Sequence, residues 1–178
     1  MLLDVAVQYD CAVTASKSAA LPPMVLIVTG KGPLRAAFER QAKLLQLRHV
    51  AVRTAFLSAE DYALLLGCAD LGISLHTSSS GLDLPMKVVD MFGAALPVAA
   101  REYATLKELV TPGRNGETFR TGAELTQHLQ RLLAGFNGDR VEGATPQLER
   151  LRRGAAAWAA TRWEEQWDRL AAPIFTTP

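Results

Sequence analysis

The chain has 178 residues, of which 49% are hydrophobic and 21% are charged, and its formal net charge is +1. This length fits one domain with its own core, and the composition is that of a soluble globular protein and excludes a disordered one. The near-neutral charge gives no electrostatic reason to expect nucleic acid or an anionic membrane as a partner. No uninterrupted apolar run reaches the roughly 18 residues that a membrane span needs, so we expect no span.

The first half of the chain alternates helical and strand patterns. Apolar residues at helical spacing predict a helix over residues 1–20, which Pro22 and Pro23 end. In a parallel α/β sheet such a helix follows a strand, so we expect that a preceding strand and its loop are missing. The other predicted elements of this half are a fully covered strand over 24–28, a helix over 34–46, a strand over 49–54, a helix capped by Ser58 and a buried strand over 70–75.

The second half continues the alternation. A helix is predicted over 86–95, with Pro85 at its first position and Ser80 or Asp83 as its cap. It is followed by a strand over 96–100, a helix over 102–110, an edge strand over 117–119 and a capped helix over 121–134. A mobile loop is predicted over 136–146, and a helical segment with a break near 160–161 is predicted over 147–171. The whole pattern predicts an α/β fold with a Rossmann-like, doubly wound parallel sheet in a single domain, residues 1–178.

The two cysteines, Cys11 and Cys68, lie in apolar surroundings without metal-ligand spacing. We predict that both are buried thiols, because free cysteine is among the most buried residue types. We expect no metal site in the chain.

One polar stretch, from His76 to Asp90, lies between a predicted strand and a predicted helix. Free backbone N–H groups and the positive end of a helix dipole at such a junction favour an anion above the sheet. A strand–turn–helix unit alone often binds nothing, but a purely structural turn does not need three serines, a glycine and two aspartates. The sequence therefore predicts a ligand site in this stretch.

A glycine-rich turn follows the first predicted strand. Gly30 and Gly32 permit close approach of a ligand to the backbone, and Lys31 either offers a positive charge or is a solvated lysine of an ordinary turn. Because the carboxyl ends of parallel strands meet at one edge of a sheet, we expect this turn, Phe56 and residues 76–83 to converge.

The sequence leaves two interpretations open for the roles of some side chains. His76 is either part of the site or a hydrogen-bonded structural residue at a strand end. Lys87 either contributes charge to a ligand or pairs with Asp90 three residues later on the helix. The three tryptophans, Trp158, Trp163 and Trp167, are predicted to serve packing and not to form a sugar platform.

Three segments of the chain carry a resemblance to a known family: Thr29–Leu34, the run from Ser78 to Gly93 (Ser-Ser-Ser-Gly-Leu-Asp-Leu-Pro-Met-Lys-Val-Val-Asp-Met-Phe-Gly) and Phe92–Val98. The sequence resembles the chitobiosyldiphosphodolichol β-mannosyltransferase family from about residue 24 to about residue 170. Members are glycosyltransferases of the GT-B fold that use GDP-mannose. The resemblance covers only the C-terminal, nucleotide-sugar half of such an enzyme.

The resemblance implies a donor site for GDP-mannose and no cofactor. In resembling enzymes the loop after the second predicted strand cradles the base, which suits Phe56 or Leu57, although a hydrophobic staple explains these residues equally well. Asp90 falls where the family carries a carboxylate that accepts hydrogen bonds from the ribose hydroxyls. The usual pattern has two glutamates with a longer gap, which leaves the role of Asp83 open. The expected donor-binding residues are Gly30, Gly32, His76, Ser79, Ser80, Gly81, Leu82, Asp83, Lys87 and Asp90, and no catalytic residue is assigned.

The implied reaction adds the first β-1,4-mannose to dolichyl-diphosphate-linked chitobiose at the cytosolic face of the endoplasmic reticulum. The lipid-linked acceptor is expected to bind through an N-terminal domain that this chain lacks, and the helices of residues 147–178 are expected to pack on that domain. Two alternatives stay open. One is a non-catalytic, truncated paralogue that binds a nucleotide sugar or another protein, and the other is a different nucleotide-sugar enzyme of the same fold.

Overall fold

The computed structural model describes residues 1–16, 21–137 and 144–176. Helices and short strands alternate along them. The strands are β1 (Met24–Thr29), β2 (Val50–Ala55), β3 (Gly72–Ser74), β4 (Val98–Arg101) and β5 (Gly116–Phe119). The helices are α1 (Leu2–Ala15), α2 (Arg35–Leu44), α3 (Ala59–Cys68), α4 (Met86–Gly93), α5 (Gly122–Leu133), α6 (Pro146–Ala159), α7 (Trp163–Gln166) and α8 (Ala172–Thr176). A 3-10 turn spans Leu106–Glu108, and a π-helical turn spans Trp167–Ala171.

All strand pairs are parallel, and they form two hydrogen-bonded groups. The first group is β1 with β2, in which Met24 is opposite Val50. The second group is β3, β4 and β5 in that order, with Gly72 opposite Val98 and Val98 opposite Gly116. The alternating pattern therefore gives the parallel α/β architecture that the sequence predicted, in two groups that no ladder joins among the described residues.

Helices cover both faces of the sheet, and β4 shows this most directly. Val98 and Ala100 enter one buried cluster together with Val88 and Phe92 of α4. Ala99, between them, enters the other cluster, which contains residues of α1, α5 and α6. Since successive side chains of a strand point to opposite faces, the two clusters lie on opposite sides of the sheet. This arrangement is the Rossmann-like, doubly wound fold, and it confirms the predicted fold class.

Helix α1 is tied to the strands by polar contacts near its middle. The Asp10 carboxylate accepts three backbone N–H bonds at the start of β2, from Arg48 (2.9 Å), His49 (2.5 Å) and Val50 (3.1 Å). The Tyr9 hydroxyl donates to the Pro22 carbonyl at 3.0 Å, and burial raises its pKa to about 12. These contacts satisfy backbone groups that would otherwise be left unpaired.

Two of the predicted helix starts and the predicted break are confirmed. Ser58 caps α3 by accepting the Asp61 N–H at 3.1 Å, and Thr121 caps α5 by accepting the Glu124 N–H at 3.2 Å. The final helical segment breaks between Ala159 and Trp163, where the sequence placed a break near 160–161. Residues 17–20 of the first predicted helix and 138–143 of the predicted loop lie outside the described residues.

The predicted start of α4 is wrong in two respects. Pro85 occupies the N-cap position and not the first helical position, and no side chain caps the helix. Ser80 accepts a hydrogen bond from the Leu82 N–H within the preceding loop, and Asp83 contacts His76. Both candidate caps are therefore engaged in the loop itself.

The prediction of a fully covered first strand is also wrong. Leu26 of β1 is buried, but Val25 is 63% exposed and Ile27 is 41% exposed. The odd-numbered side chains lie on the opposite face of the strand from Leu26. The described helices cover that face of β1 only in part.

The predicted helix over 102–110 is reduced to one 3-10 turn. Glu102 extends the strand, since its N–H donates to the Phe119 carbonyl at 2.8 Å. The buried Asn115 side chain then donates to the Leu109 carbonyl at 3.0 Å and accepts the Thr111 N–H at 2.8 Å. These contacts with distant residues replace the backbone bonds of a regular helix.

Both cysteines are exposed, so the prediction of buried thiols is wrong. Cys11 lies on the outer side of α1, whose buried positions are Val5, Ala6, Tyr9 and Asp10. Cys68 ends α3, in which Leu66 is the buried residue. Apolar neighbours in the sequence did not identify the side of each helix that faces the core.

The close contact between α6 and the loop before β5 generates a stability prediction. A Cβ added to Gly154 would lie 1.8 Å from the Arg114 carbonyl oxygen, so Gly154→Ala forces the helix and the loop apart. We expect a loss of at least about 2 kcal/mol in the free energy of unfolding, measured by urea denaturation.

Gly67→Ala in α3 is the matched control, because a Cβ there meets no atom within 4 Å. It should stabilise the protein by up to about 1 kcal/mol through helix propensity. Equal effects of the two substitutions would contradict the described packing of α6.

Candidate functional site

The loop between β3 and α4 is shaped by its own serines. The Ser78 hydroxyl accepts the Gly81 N–H at 2.5 Å, and the Ser80 hydroxyl accepts the Leu82 N–H at 3.2 Å. Gly81 has φ +76°, a left-handed conformation that glycine adopts without a steric penalty. Ser79 and Leu82 are exposed at the surface of this loop, and Leu82 is 80% exposed. The loop thus presents small polar groups above the carboxyl end of β3.

One side-chain pair links the two ends of this loop. His76 Nε2 lies 2.7 Å from Asp83 Oδ2, and both side chains are partly exposed. A hydrogen bond from Ser78 holds the pKa of the Asp83 carboxyl below its ordinary value of 3.8, and the bond with His76 contributes to the same shift. His76 and Asp83 are therefore brought together, as both site and structural interpretations of His76 require.

The segment after β4 supports the pair of His76 and Asp83. The sequence analysis did not assign this segment to the site. The Tyr103 ring meets the His76 ring edge-on, with centroids 5.8 Å apart, and the Thr105 hydroxyl donates to the Asp83 carbonyl at 2.9 Å. Burial, with the Asp83 charge, raises the pKa of Tyr103. The position of Tyr103 directly after a parallel strand could have identified it as a site residue, since ligand-binding groups gather at the carboxyl edge of a parallel sheet.

A second pair joins the loops after β1 and β2. Lys31 Nζ lies 5.4 Å from the centroid of the Phe56 ring, and Phe56 is 63% exposed. Gly30 has φ +146°, and its N–H donates to the Ala55 carbonyl at 2.9 Å. A Cβ at Gly30 or Gly32 would meet no atom within 4 Å, so the backbone here is open to a ligand. Of the three segments predicted to converge, these contacts bring together the turn after β1 and the loop with Phe56, and they do not include residues 76–83.

Helix α4 presents its polar side chains on the face opposite to its buried residues. Lys87 and Asp90 are exposed, whereas Val88, Met91 and Phe92 are buried. Lys87 Nζ lies 5.8 Å from the centroid of the Tyr62 ring, and among the described residues it forms no ion pair with Asp90. Burial, with the Asp90 charge, raises the pKa of Tyr62. The simple i,i+3 pairing of Lys87 with Asp90 is therefore not the arrangement seen.

A basic groove of about 720 Å³ lies elsewhere, between α2 and the strands β1 and β2. Its cationic lining side chains include Lys43, Arg48 and Arg53, with Glu39 as the acidic one. The residues of the serine-rich loop do not line it. Within the described ranges, no cluster of three or more His, Cys, Asp or Glu side chains is suited to hold a metal ion. No described helix is both long and apolar enough to cross a membrane.

The comparisons with known proteins agree with this parallel α/β fold. The sequence model of the family described as "Glycosyl transferases group 1" matches residues 9–135. Because this match covers more than half of the chain, the protein belongs to the group 1 glycosyltransferase family.

Individual relatives show which glycosyltransferases the chain is similar to. The chain is 46% identical over 188 residues to the UDP-glycosyltransferase TURAN of Arabidopsis thaliana, covering 99% of this chain and 39% of that protein. It is 46% identical over 154 residues to the human chitobiosyldiphosphodolichol beta-mannosyltransferase, covering 86% of this chain and 32% of that enzyme. The enzyme of the same name from Arthroderma benhamiae is 45% identical over 178 residues, 96% of this chain and 37% of the relative.

The expected resemblance is therefore confirmed, and the region matched is the C-terminal portion of these relatives. The chain spans between about a third and two fifths of their length.

The contact between Ser78 and Asp83 generates a titration prediction. Ser78→Ala removes the main cause that lowers the Asp83 pKa, so that pKa should rise toward 3.8 in an NMR pH titration of the side-chain carboxyl carbon. Because the Asp83 pKa is lowered in the folded state, its stabilisation of the loop is complete above 3.8 and is lost as pH falls through the lowered value.

Ser79→Ala is the control for this titration, because Ser79 is exposed and has no hydrogen bond to Asp83 among the described contacts. It should leave the Asp83 pKa unchanged. An equal shift in both variants would mean that general loosening of the loop, and not the Ser78 hydroxyl, sets the pKa.

Proposed function

We propose that this chain is the donor-binding part of a mannosyltransferase that takes GDP-mannose as its sugar donor. The observation that carries the proposal is the polar loop from His76 to Asp90 at the carboxyl end of a parallel sheet, within a chain 46% identical to a human enzyme named as a β-mannosyltransferase. Ligands of doubly wound folds bind at this edge.

Each site residue has a role that its chemistry suits. The N–H groups of Ser79 and Ser80, which no described hydrogen bond engages, and the first N–H groups of α4 offer donors to the diphosphate, with added charge from Lys87. Asp90 is exposed on α4 and accepts hydrogen bonds from the two ribose hydroxyls. Gly30 and Gly32 let the donor approach the backbone, since neither position has atoms within 4 Å of an added Cβ.

In this proposal His76 and Asp83 set the shape of the loop. Their contact of 2.7 Å joins the two ends of the loop that carries the serines. Charge on Asp83 is retained well below neutral pH, because Ser78 and His76 lower its pKa. The departure of Asp83 from the family's glutamate is therefore compatible with a supporting role at the donor site.

The proposed reaction is a transfer with inversion. A hydroxyl oxygen of lipid-linked chitobiose forms a bond to the anomeric carbon of mannose while the bond from that carbon to the diphosphate oxygen breaks. GDP leaves with the electron pair, and a base takes the hydroxyl proton. We assign no base in this chain. The names of the relatives contain the chitobiosyl-diphosphodolichol acceptor, and we propose that this acceptor binds to a further domain at the cytosolic face of the endoplasmic reticulum.

A second candidate is a UDP-sugar enzyme of the same fold. The observation that favours it is the name of the plant relative, a UDP-glycosyltransferase, which matches 99% of this chain. The nucleotide base that the site selects must therefore be determined by a direct comparison of the two sugar donors.

The central test is calorimetric titration with GDP-mannose, with UDP-N-acetylglucosamine as the competing donor. We expect saturable binding of GDP-mannose and binding at least about tenfold weaker in Asp90→Ala, because hydrogen bonds to a charged group contribute roughly 1.5–3 kcal/mol. Glu165→Ala, an exposed carboxylate on α7, is the control and should bind as the wild type does.

Two results would count against the proposal. Binding of GDP-mannose that is equal in the wild type and Asp90→Ala would exclude the assigned ribose contact. Binding of UDP-N-acetylglucosamine alone would favour the second candidate.

We also propose that the C-terminal helices pack on another part of the full enzyme. Trp163 stacks on Trp167 with ring centroids 5.4 Å apart, and Trp167 stacks on Phe175 at 5.8 Å. Trp163 is 70% exposed and Phe175 is 74% exposed, whereas Trp158 packs on the buried Phe92. A contiguous aromatic surface of this kind is typical of an interface.

Reconstitution tests this arrangement. Mixed with the remaining N-terminal portion of the human relative, the chain should restore mannosyl transfer from GDP-mannose to a chitobiosyl-diphosphate lipid. The double variant Trp163→Ser/Trp167→Ser should lower the transfer at least about tenfold by weakening association, and Glu164→Ser should not, because aromatic anchors contribute more than exposed charges.

An inactive mixture in which the chain still binds GDP-mannose would instead favour a non-catalytic nucleotide-sugar-binding module.

A further inference from the structure

Positive charge is concentrated in one short part of the chain. Residues 35–53 contain five Lys and Arg residues and one acidic residue, so their formal charge is +4. Because the whole chain carries +1, the remaining residues have a formal charge of −3. The near-neutral total therefore hides a strongly basic segment, which contains α2, the turn after it and most of β2.

Most of these cations have no acidic partner in the described part of the chain. The acidic residue of the segment, Glu39, accepts a hydrogen bond from Arg35 at 2.8 Å and another from the Thr54 hydroxyl. The nearby Asp10 carboxylate accepts backbone N–H groups at the start of β2. No ion pair is formed, among the described contacts, by the other four cations of the segment, Arg40, Lys43, Arg48 and Arg53. Such a concentration of unpaired positive charge favours an anionic partner.

Helix α2 packs on the sheet less deeply than its neighbours. Among the described helices of eight or more residues, it alone has no buried residue. The basic groove of about 720 Å³ lies between this helix and the strands β1 and β2. A helix that buries no side chain in the core leaves its outer side available for another contact.

Two leucines lie among the cations at the end of α2. Leu44 is 81% exposed and Leu45 is 37% exposed. Arg40 lies one turn before Leu44 on the helix, and Lys43 directly precedes it. Arg48 is also exposed, and it lines the basic groove together with Lys43. We call these five residues, Arg40, Lys43, Leu44, Leu45 and Arg48, the α2 surface.

The combination of exposed leucines with cations distinguishes among anionic partners. Nucleic acids are bound by cations together with polar and aromatic side chains, so exposed leucines add nothing to that contact. A bilayer with anionic lipids offers negative headgroups for cations and, directly below them, an apolar region for leucines. The chemistry of the α2 surface therefore fits a lipid surface.

We propose that the α2 surface docks on a lipid bilayer that contains anionic headgroups. Arg40, Lys43 and Arg48 lie against the headgroups, and Leu44 and Leu45 enter the boundary between the headgroups and the acyl chains. With two apolar anchors and three cations, the contact is peripheral and reversible.

The α2 surface and the donor loops lie at opposite ends of α2. The helix begins after the turn with Gly30 and Gly32 and ends before β2 begins. Because β1 and β2 are parallel, its start lies at the carboxyl edge of the sheet and its end at the amino edge. Ten helical residues separate these edges by about 15 Å. Lipid contact at Leu44 therefore leaves the loop from His76 to Asp90 uncovered.

Co-sedimentation of the full chain with vesicles tests this docking. The vesicles consist of phosphatidylcholine alone or of phosphatidylcholine with about 30% phosphatidylserine, and we expect binding at least about tenfold tighter to the anionic vesicles. Raising the salt concentration from about 0.05 M to about 0.5 M should weaken this binding, because salt screens the charges.

A charge variant locates the contact on the protein. Lys43→Glu/Arg48→Glu should weaken binding at least about tenfold, because two attractive charges become repulsive. Lys107→Glu/Arg150→Glu is the matched control, since it changes the net charge equally at two exposed cations outside the α2 surface. It should bind within about threefold of the unaltered chain, because attraction to the headgroups falls off within a Debye length.

A leucine variant tests the apolar part of the contact. Leu44→Ser/Leu45→Ser should bind anionic vesicles at least about fivefold more weakly, since affinity for the interface increases with buried apolar area. The matched control is Leu64→Ser/Leu170→Ser, which changes two exposed leucines elsewhere in the chain and should bind as the unaltered chain does. Melting temperatures within about 3 °C of the unaltered chain show that each variant is folded. Lys43→Gln/Arg48→Gln replaces the charge variant if that variant does not fold.

Four results would overturn the proposal. One is the absence of saturable binding to anionic vesicles, and another is an equal loss of binding in the charge variant and its control. A third is full binding of the leucine variant, because the contact would then be electrostatic adsorption alone. The fourth is binding of polyuridylic acid or polyglutamate in place of vesicles, which would assign the surface to nucleic acid or to an acidic protein.

A donor titration on the charge variant separates this inference from the proposed function. GDP-mannose should bind Lys43→Glu/Arg48→Glu as it binds the unaltered chain, because the donor loops lie at the other edge of the sheet. Vesicle binding without donor binding supports the lipid surface and contradicts the proposed function. Donor binding without vesicle binding overturns the lipid surface and leaves the proposed function standing.

Discussion

The candidate site depends on the contact between His76 Nε2 and Asp83 Oδ2, 2.7 Å long, which joins the two ends of the loop between β3 and α4. The loop contains three serines and a glycine in a left-handed conformation, so its own residues restrict it little. Without the pair, the hydroxyls of Ser78 and Ser80 would be the main restraints on its shape. With it, the backbone of Ser79–Leu82 is held above the sheet.

The segment after β4 connects this contact to the core. Tyr103 lies edge-on to His76 and Thr105 donates to the Asp83 carbonyl, so each member of the pair has its own support. Directly beyond them Leu106 is buried, which fixes the segment to the sheet. The site is thus a polar surface loop whose shape is determined by apolar packing on one side.

Much of this could be predicted from the sequence, because it depends on local patterns. Alternating apolar runs and helical spacing gave the order of the elements, and the Ser58 and Thr121 caps followed from nearby residues. The polar stretch from His76 to Asp90 could be placed at a strand–helix junction for the same reason. The membership of the chain in a glycosyltransferase family could be predicted from a continuous sequence motif.

The errors arose where distant contacts decide the local structure. Residues 102–110 have helical spacing, but Glu102 pairs with Phe119 and Asn115 engages Leu109, which a local pattern does not contain. Asp83 was a plausible helix cap until His76 competed for its carboxylate. Similarly, the apolar run of β1 predicted burial on both faces, whereas coverage of Val25 depends on what packs there.

The claim that the His76–Asp90 loop is the donor site can be tested most directly by mapping amide chemical shifts of the labelled chain during titration with GDP-mannose. The account predicts shifts at Gly30, Gly32 and Ser79–Leu82, on the two loops at the carboxyl edge of the sheet. Shifts confined to the basic groove around Lys43, Arg48 and Arg53 would contradict it, because that groove shares no residue with the serine-rich loop.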